Sequence, residues 1–113
     1  MEKSTHKIGT NRGRKRIWLD GKRLANHGFT GGQQFVLTIH EGWLVLDAMT
    51  AAEIQETLDF NNLVEGQQVR KITGRPDGKP IIDITGSTVS DTFGDISQVE
   101  VTFTKRQITI HPA

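Results

Sequence analysis

Residues 12–16 read Arg-Gly-Arg-Lys-Arg, with Lys7 before them and Lys22 and Arg23 soon after. A guanidinium bonds the O6 and N7 of guanine together, whereas an ammonium neutralises a phosphate as a point charge. The run therefore holds donors suited to both reading and clamping a nucleic acid. Arg12, Arg14 and Arg16 are the expected base readers, and Lys7, Lys15, Lys22, Arg70 and Lys71 the expected backbone clamps. Arg23, Arg75 and Lys79 complete the candidate contact set.

The charge is unevenly spread. Residues 1–30 hold eight Lys or Arg against Glu2 and Asp20, a net +6, while the remainder sums to −5. Clustered like charges repel one another unless a polyanion neutralises them. Within the acidic remainder, four of its six Lys and Arg sit at Arg70, Lys71, Arg75 and Lys79, beside Asp83, Asp91, Asp95 and Glu100.

Other chemistry finds less material. The chain has no cysteine, which excludes a disulfide framework, a thiolate nucleophile and a Cys-ligated zinc. No His or carboxylate pair has metal-ligand spacing on a helix, and Thr30-Gly31-Gly32 lacks the Gly-Lys-Ser/Thr ending of a phosphate loop. Neither a metal nor a cofactor is expected. A metal-free ribonuclease needs a base, an acid and cationic cover for the phosphorane. His6, His27, His40 and Glu41 are the candidates, but His27 suits a helix C-terminus and His40 a hairpin turn, so catalytic residues stay unassigned. Trp18 and Trp43, at strand positions, read first as packing residues. No run of eighteen apolar residues and no signal-peptide core occurs, so the expectation is no membrane contact and a cytoplasmic location.

The elements that must position these residues emerge from an internal repeat. At an offset of 65, Ile17, Leu19, Gly21 and Leu24 fall on Ile82, Ile84, Gly86 and Val89; one deletion later, Phe29, Phe35, Leu37, Ile39, Leu44 and Leu46 fall on Phe93, Val99, Val101, Phe103, Ile108 and Ile110. Most lie two residues apart, the period of a strand buried on one side. Each copy predicts a strand (16–20 and 81–85), a short turn or helix (22–27 and 87–92) and a hairpin (34–40 with 43–47, and 98–104 with 107–111). Another hairpin precedes the second copy, turning at Pro76-Asp77-Gly78, and residues 6–19 should form its looser counterpart. The unit is ββαββ, present twice.

Between the copies, Thr50 and Glu53 have capping-box spacing, and Ala51, Ile54 and Leu58 make an apolar stripe, so a helix is expected from 49 toward 63. Trp18, Val36 and Val45 stand where the second copy has Asp83, Glu100 and Thr109, and that face calls for cover by this helix or a second chain. The whole, 1–113, reads as a single domain: a first unit over 1–47 with its basic arm, a helical connector over 48–65 and a second unit over 66–113.

Residues 16–46 resemble the SymE toxin family, matching its core at Gly21, Leu24, Gly28, Phe29, Gly32, Val36, Gly42, Leu44, Val45 and Leu46. That core is similar to the AbrB and MazE type of swapped-hairpin barrel, and residues 67–111 look more like AbrB. Arg23 stands where the SymE pattern has Trp. The resemblance implies a mainly β fold with short helices, two fused ββαββ units forming a swapped-hairpin β-barrel, a pseudo-dimer in one chain. It also implies nucleic-acid binding through the first hairpins, with duplex DNA the first candidate and RNA the second. The alternatives are a SymE-like toxin acting as a metal-independent endoribonuclease and an antitoxin-like adaptor that meets a protein partner through its acidic half; a homodimer is open.

Overall fold

A computed structural model describes residues 1–59 and 65–113, backbone only at 57–59. In chain order the elements are β1 (Glu2–Lys7), β2 (Gly9–Asn11), β3 (Arg14–Asp20), α1 (Lys22–Asn26), β4 (Gln34–His40), β5 (Trp43–Met49) and α2 (Ala51–Asp59). They continue with β6 (Gln67–Lys71), β7 (Thr73–Gly74), β8 (Pro80–Thr85), α3 (Ser87–Phe93), β9 (Gln98–Thr104) and β10 (Gln107–Pro112). The fold is mainly β with short helices, as expected, three of them among the described residues.

Alternation along the strands sorts side chains onto two faces, and the apolar faces of two antiparallel sheets enclose one core. Ile17, Leu19, Ile82 and Ile84 come from the four-stranded sheet, ordered β2-β3-β8-β7. Phe35, Leu37, Leu44, Leu46, Val99, Val101, Phe103, Ile108 and Ile110 come from the six-stranded sheet, ordered β1-β9-β10-β5-β4-β6. Leu24 and Phe29, with Val89 and Phe93, close the ends. Each large side chain so buried contributes about 1.5–3 kcal/mol relative to exposure.

Exchanging the two copies reverses each strand order onto itself. The register carries the same exchange: Ile17 pairs with Ile84 and Leu19 with Ile82, while Trp18 faces its own repeat counterpart, Asp83. In the larger sheet Leu44 pairs with Ile110 and Leu46 with Ile108, and Val45 faces its counterpart Thr109. A pseudo-dyad therefore passes through these two pairs.

The leading strand of each half is broken once. Ile8 N–H donates to the Ser97 carbonyl at 2.8 Å, and its counterpart Ile72 N–H donates to the Gln33 carbonyl at 2.8 Å. Before the break, β1 pairs with β9 and β6 with β4; after it, β2 pairs with β3 and β7 with β8. The expected simple hairpin over 6–19 is thus only Gly9–Asn11 against Arg14–Arg16. Both sheets end in edge strands, so they are open rather than closed into the barrel the resemblance implied.

The capping box of α2 forms: Thr50 N–H donates to Glu53 Oε1 at 3.2 Å and Glu53 N–H to Thr50 Oγ1 at 3.1 Å. Of the expected stripe Ile54 is buried and Ala51 is exposed, and the Leu58 side chain and residues 60–63 lie outside the described residues. The helix docks on β5, as expected, and Arg106 of the second copy ties it down through Glu53 at 2.5 Å. Val36 and Val45 lie on the outer face of the six-stranded sheet, buried apart from the main core, whereas Trp18 lies on the outer face of the other sheet. They do not share one face, because the copy's strands divide between two sheets.

Candidate nucleic-acid interface

With Ile17, Leu19, Ile82 and Ile84 turned inward, β3 and β8 present Arg14, Arg16, Trp18 and Asp20, and Ile81, Asp83 and Thr85, on the opposite face. The β2–β3 connection is the two-residue turn Arg12-Gly13, both at positive φ (54° and 79°), which matches the right-handed strand twist. Arg12 is thereby held exposed in a conformation few side chains adopt. The β7–β8 turn is longer: Arg75 N–H donates to the Lys79 carbonyl at 2.9 Å around Pro76-Asp77-Gly78. Since β3 and β8 are antiparallel, the two turns stand at opposite ends of one sheet.

On this face the cations meet acids selectively. Asp83 accepts two bonds from Arg16, Nε at 3.1 Å and Nη2 at 3.2 Å, and the same guanidinium lies 4.0 Å over the Trp18 ring. Arg75 Nη2 donates to Asp20 at 2.8 Å, and Lys79 Nζ is 3.9 Å from Asp77. Arg12 and Arg14 have no ion-pair partner among the described residues; a Cβ on Gly86 would collide with the Arg14 guanidinium, so Arg14 lies over the start of α3.

The remaining expected contacts scatter. Lys7 and Lys71 are repeat counterparts, both exposed, each one residue before a strand break. Lys22 and Arg23 are on α1, and Arg23 Nε is 3.1 Å from Glu2. Two expected clamps are turned to the protein instead. Lys15 Nζ donates to the Gly94 carbonyl at the end of α3, where a positive charge complements the helix dipole. Arg70 Nε donates to Gln68 at 3.0 Å and its Nη2 to Thr88 at 3.4 Å.

The repeat counterpart of Arg70 is His6. It lines a cavity of about 460 Å³ together with Glu2, Leu19, Asp20, Lys22, Arg23, Asn26 and Phe103. Burial, helped by the Arg23 charge and opposed by Asp20, pushes the His6 pKa below its ordinary value. His6 shares a 2.7 Å hydrogen bond with Ser4 Oγ. No sequence signal separated His6 from the other histidines, because the cavity is lined by residues of β1, β3, α1 and β9 that only the fold brings together.

His27 and His40 are not brought together. His27 Nδ1 donates to the Arg23 carbonyl at 2.8 Å and its Nε2 lies 3.7 Å from Glu2, the helix-end role expected. His40 stacks on Trp43 at 4.1 Å, and Trp43 on His111 at 4.8 Å, at the β4–β5 end of the other sheet. The acidic half is likewise divided, Asp83 on one sheet and Glu100, 3.6 Å from Lys3, on the other. Among the described residues no cluster of three metal-ligating side chains occurs, and no helix is long and apolar enough to cross a membrane. No protein-family model matches the chain, and no curated protein and no solved structure is significantly similar to it.

Proposed function

We propose that the chain binds duplex DNA through the outer face of its four-stranded sheet, its two ββαββ halves acting as the paired units of a swapped-hairpin DNA binder joined in one polypeptide. The reading rests on one observation: both cationic hairpins belong to a single sheet centred on the pseudo-dyad, so Arg12, Arg14, Arg75 and Lys79 share one face. Strand exchange between the halves, β1 onto β9 and β6 onto β4, supports the pairing of the units. Phosphate contacts supply affinity and register, and the guanidinium groups read bases.

The test is a titration of mixed-sequence duplex at several salt concentrations. With roughly six phosphate contacts, affinity falls by about three orders of magnitude over a fourfold rise in salt. Arg12→Ala with Arg14→Ala should lower affinity and relax sequence preference. Salt-independent binding, or unchanged affinity in the double variant, rejects the interface.

A second reading, RNA cleavage, is favoured by the cavity that sets a largely neutral His6 beside Arg23 and Lys22, since a neutral imidazole can accept the 2′-hydroxyl proton. It ranks second because His27 is already committed to Arg23 and Glu2. Purified protein that degrades RNA, with His6→Ala abolishing the activity, would promote it.

A further inference from the structure

Repeat counterparts on the proposed DNA face are chemically unlike. Arg14 answers to Lys79, Arg16 to Ile81, Trp18 to Asp83 and Asp20 to Thr85. The turns differ as well, two residues at Arg12-Gly13 against three at Pro76-Asp77-Gly78. One acid also acts across the dyad: Asp83, the counterpart of Trp18, draws Arg16 from the other half, and Ile81 offers Trp18 nothing in return. The unpaired guanidinium groups, Arg12 and Arg14, therefore both lie at the β2–β3 end, while Arg75 and Lys79 at the other end already face Asp20 and Asp77.

Resting on the DNA reading above, we infer that the sheet docks on duplex DNA in one orientation and reads a site without twofold symmetry. A symmetric operator rewards a binder whose two halves make the same contacts. Among the described residues, guanidinium forks without an ion-pair partner, suited to guanine O6 and N7, stand at one end only, and a lysine, a point charge suited to phosphate, takes the matching place at the other. Sequence choice belongs to the Arg12–Arg14 half-site, rich in guanine, and the Lys79 half-site carries position without sequence.

The experiment has two arms. Duplexes retained from a randomised pool by the full chain are sequenced, and the retained site is then cut from iron-chelate labels placed on the otherwise cysteine-free chain at Thr10→Cys or Pro76→Cys. The expected motif is confined to one side, guanine replacement there weakens binding roughly tenfold per base, and each label cuts opposite ends of the site. A palindromic motif, equal cutting at both ends from either label, or binding with no motif overturns the inference while leaving DNA binding intact. Failure to retain any duplex at about 50 mM salt, where phosphate contacts are strongest, overturns the DNA reading itself and this inference with it.

Discussion

Trp18 and Asp83 stand directly opposite one another in the β3–β8 pair, and they are the same position of the two repeats. An exact repeat would set like against like there, two tryptophans or two aspartates. The divergence instead lets Asp83 chelate Arg16, which shields one face of Trp18. The centre of the face is thus an internally satisfied cluster, and the free cations lie toward its ends.

Asp83→Ala releases Arg16 and removes a negative charge from the face. Both partners keep solvent contact, at 26% and 37% side-chain exposure, so the stability loss should stay below about 1 kcal/mol. Duplex affinity should rise and the salt slope steepen by about one as Arg16 becomes available to phosphate. Titrations of the variant and wild type at three salt concentrations decide this; unchanged affinity together with an unchanged slope would mean that Arg16 is not at the interface.

Gly21 and Gly86 offer a matched pair of substitutions. Both precede a short helix at positive φ, 94° and 104°, with ψ of −173° and −144°, a region that side chains essentially do not enter. Replacement by Ala should cost about 1–3 kcal/mol at each. At Gly21 a Cβ meets nothing within 4 Å, whereas at Gly86 it must evict Arg14. Urea unfolding should rank Gly86→Ala the more destabilised, and Gly86→Ala should alter duplex affinity more than Gly21→Ala does.

Much of this arrangement was legible because alternation and the repeat are local signals. Ile17, Leu19, Phe35, Leu37, Leu44 and Leu46, with their counterparts, are buried as the period-two pattern requires, and the turns at Glu41-Gly42 and Lys105-Arg106 close as expected. What stayed hidden depends on partners far along the chain. Asp83 lies 67 residues from Arg16, and the breaks at Ile8 and Ile72 exist because β1 and β6 find partners in the opposite half. Lys15 and Arg70 resembled their basic neighbours, but the carbonyl of Gly94 and the hydroxyl of Thr88 turn them inward.

Acid should unfold the protein partly through Glu53. Its hydrogen bond from Arg106, with those from Thr50, holds the carboxyl pKa below its ordinary value. A carboxyl depressed in the folded state binds its proton more readily once unfolded, so its contribution is complete above the unfolded pKa and is lost as pH falls through the folded one. Wild type should therefore lose more stability than Glu53→Gln between neutral pH and about pH 3. Parallel acid titrations of the two proteins would show this as converging curves, and parallel displacement throughout would exclude the Arg106 contact as a source of stability.

His6 should behave with the same sign around neutrality. Burial, then the Arg23 charge, depresses its pKa, so protonation favours the unfolded chain and stability declines as pH drops through the ordinary histidine range. An NMR titration of the His6 imidazole should give a midpoint below the ordinary histidine value. A midpoint at the ordinary value would mean the cavity does not desolvate His6.

Cutting the chain between Glu65 and Gly66 tests the interdependence of the halves. Alone, residues 1–65 lack β9 for β1, β10 for β5, and Ile82 and Ile84 for Leu19 and Ile17; residues 66–113 lack the reciprocal partners. Neither fragment should show a cooperative unfolding transition as a monomer. Self-association of the second fragment would set Asp83 against Asp83, and like charges directly opposed in a sheet are destabilising, whereas mixing restores Asp83 to Arg16 and Trp18. An equimolar mixture should therefore recover native circular dichroism as a one-to-one complex whose stability rises with concentration. A stable, cooperatively folding monomer of either fragment would show that this half holds a core of its own and that the pairing of its exchanged strand with the other half is dispensable.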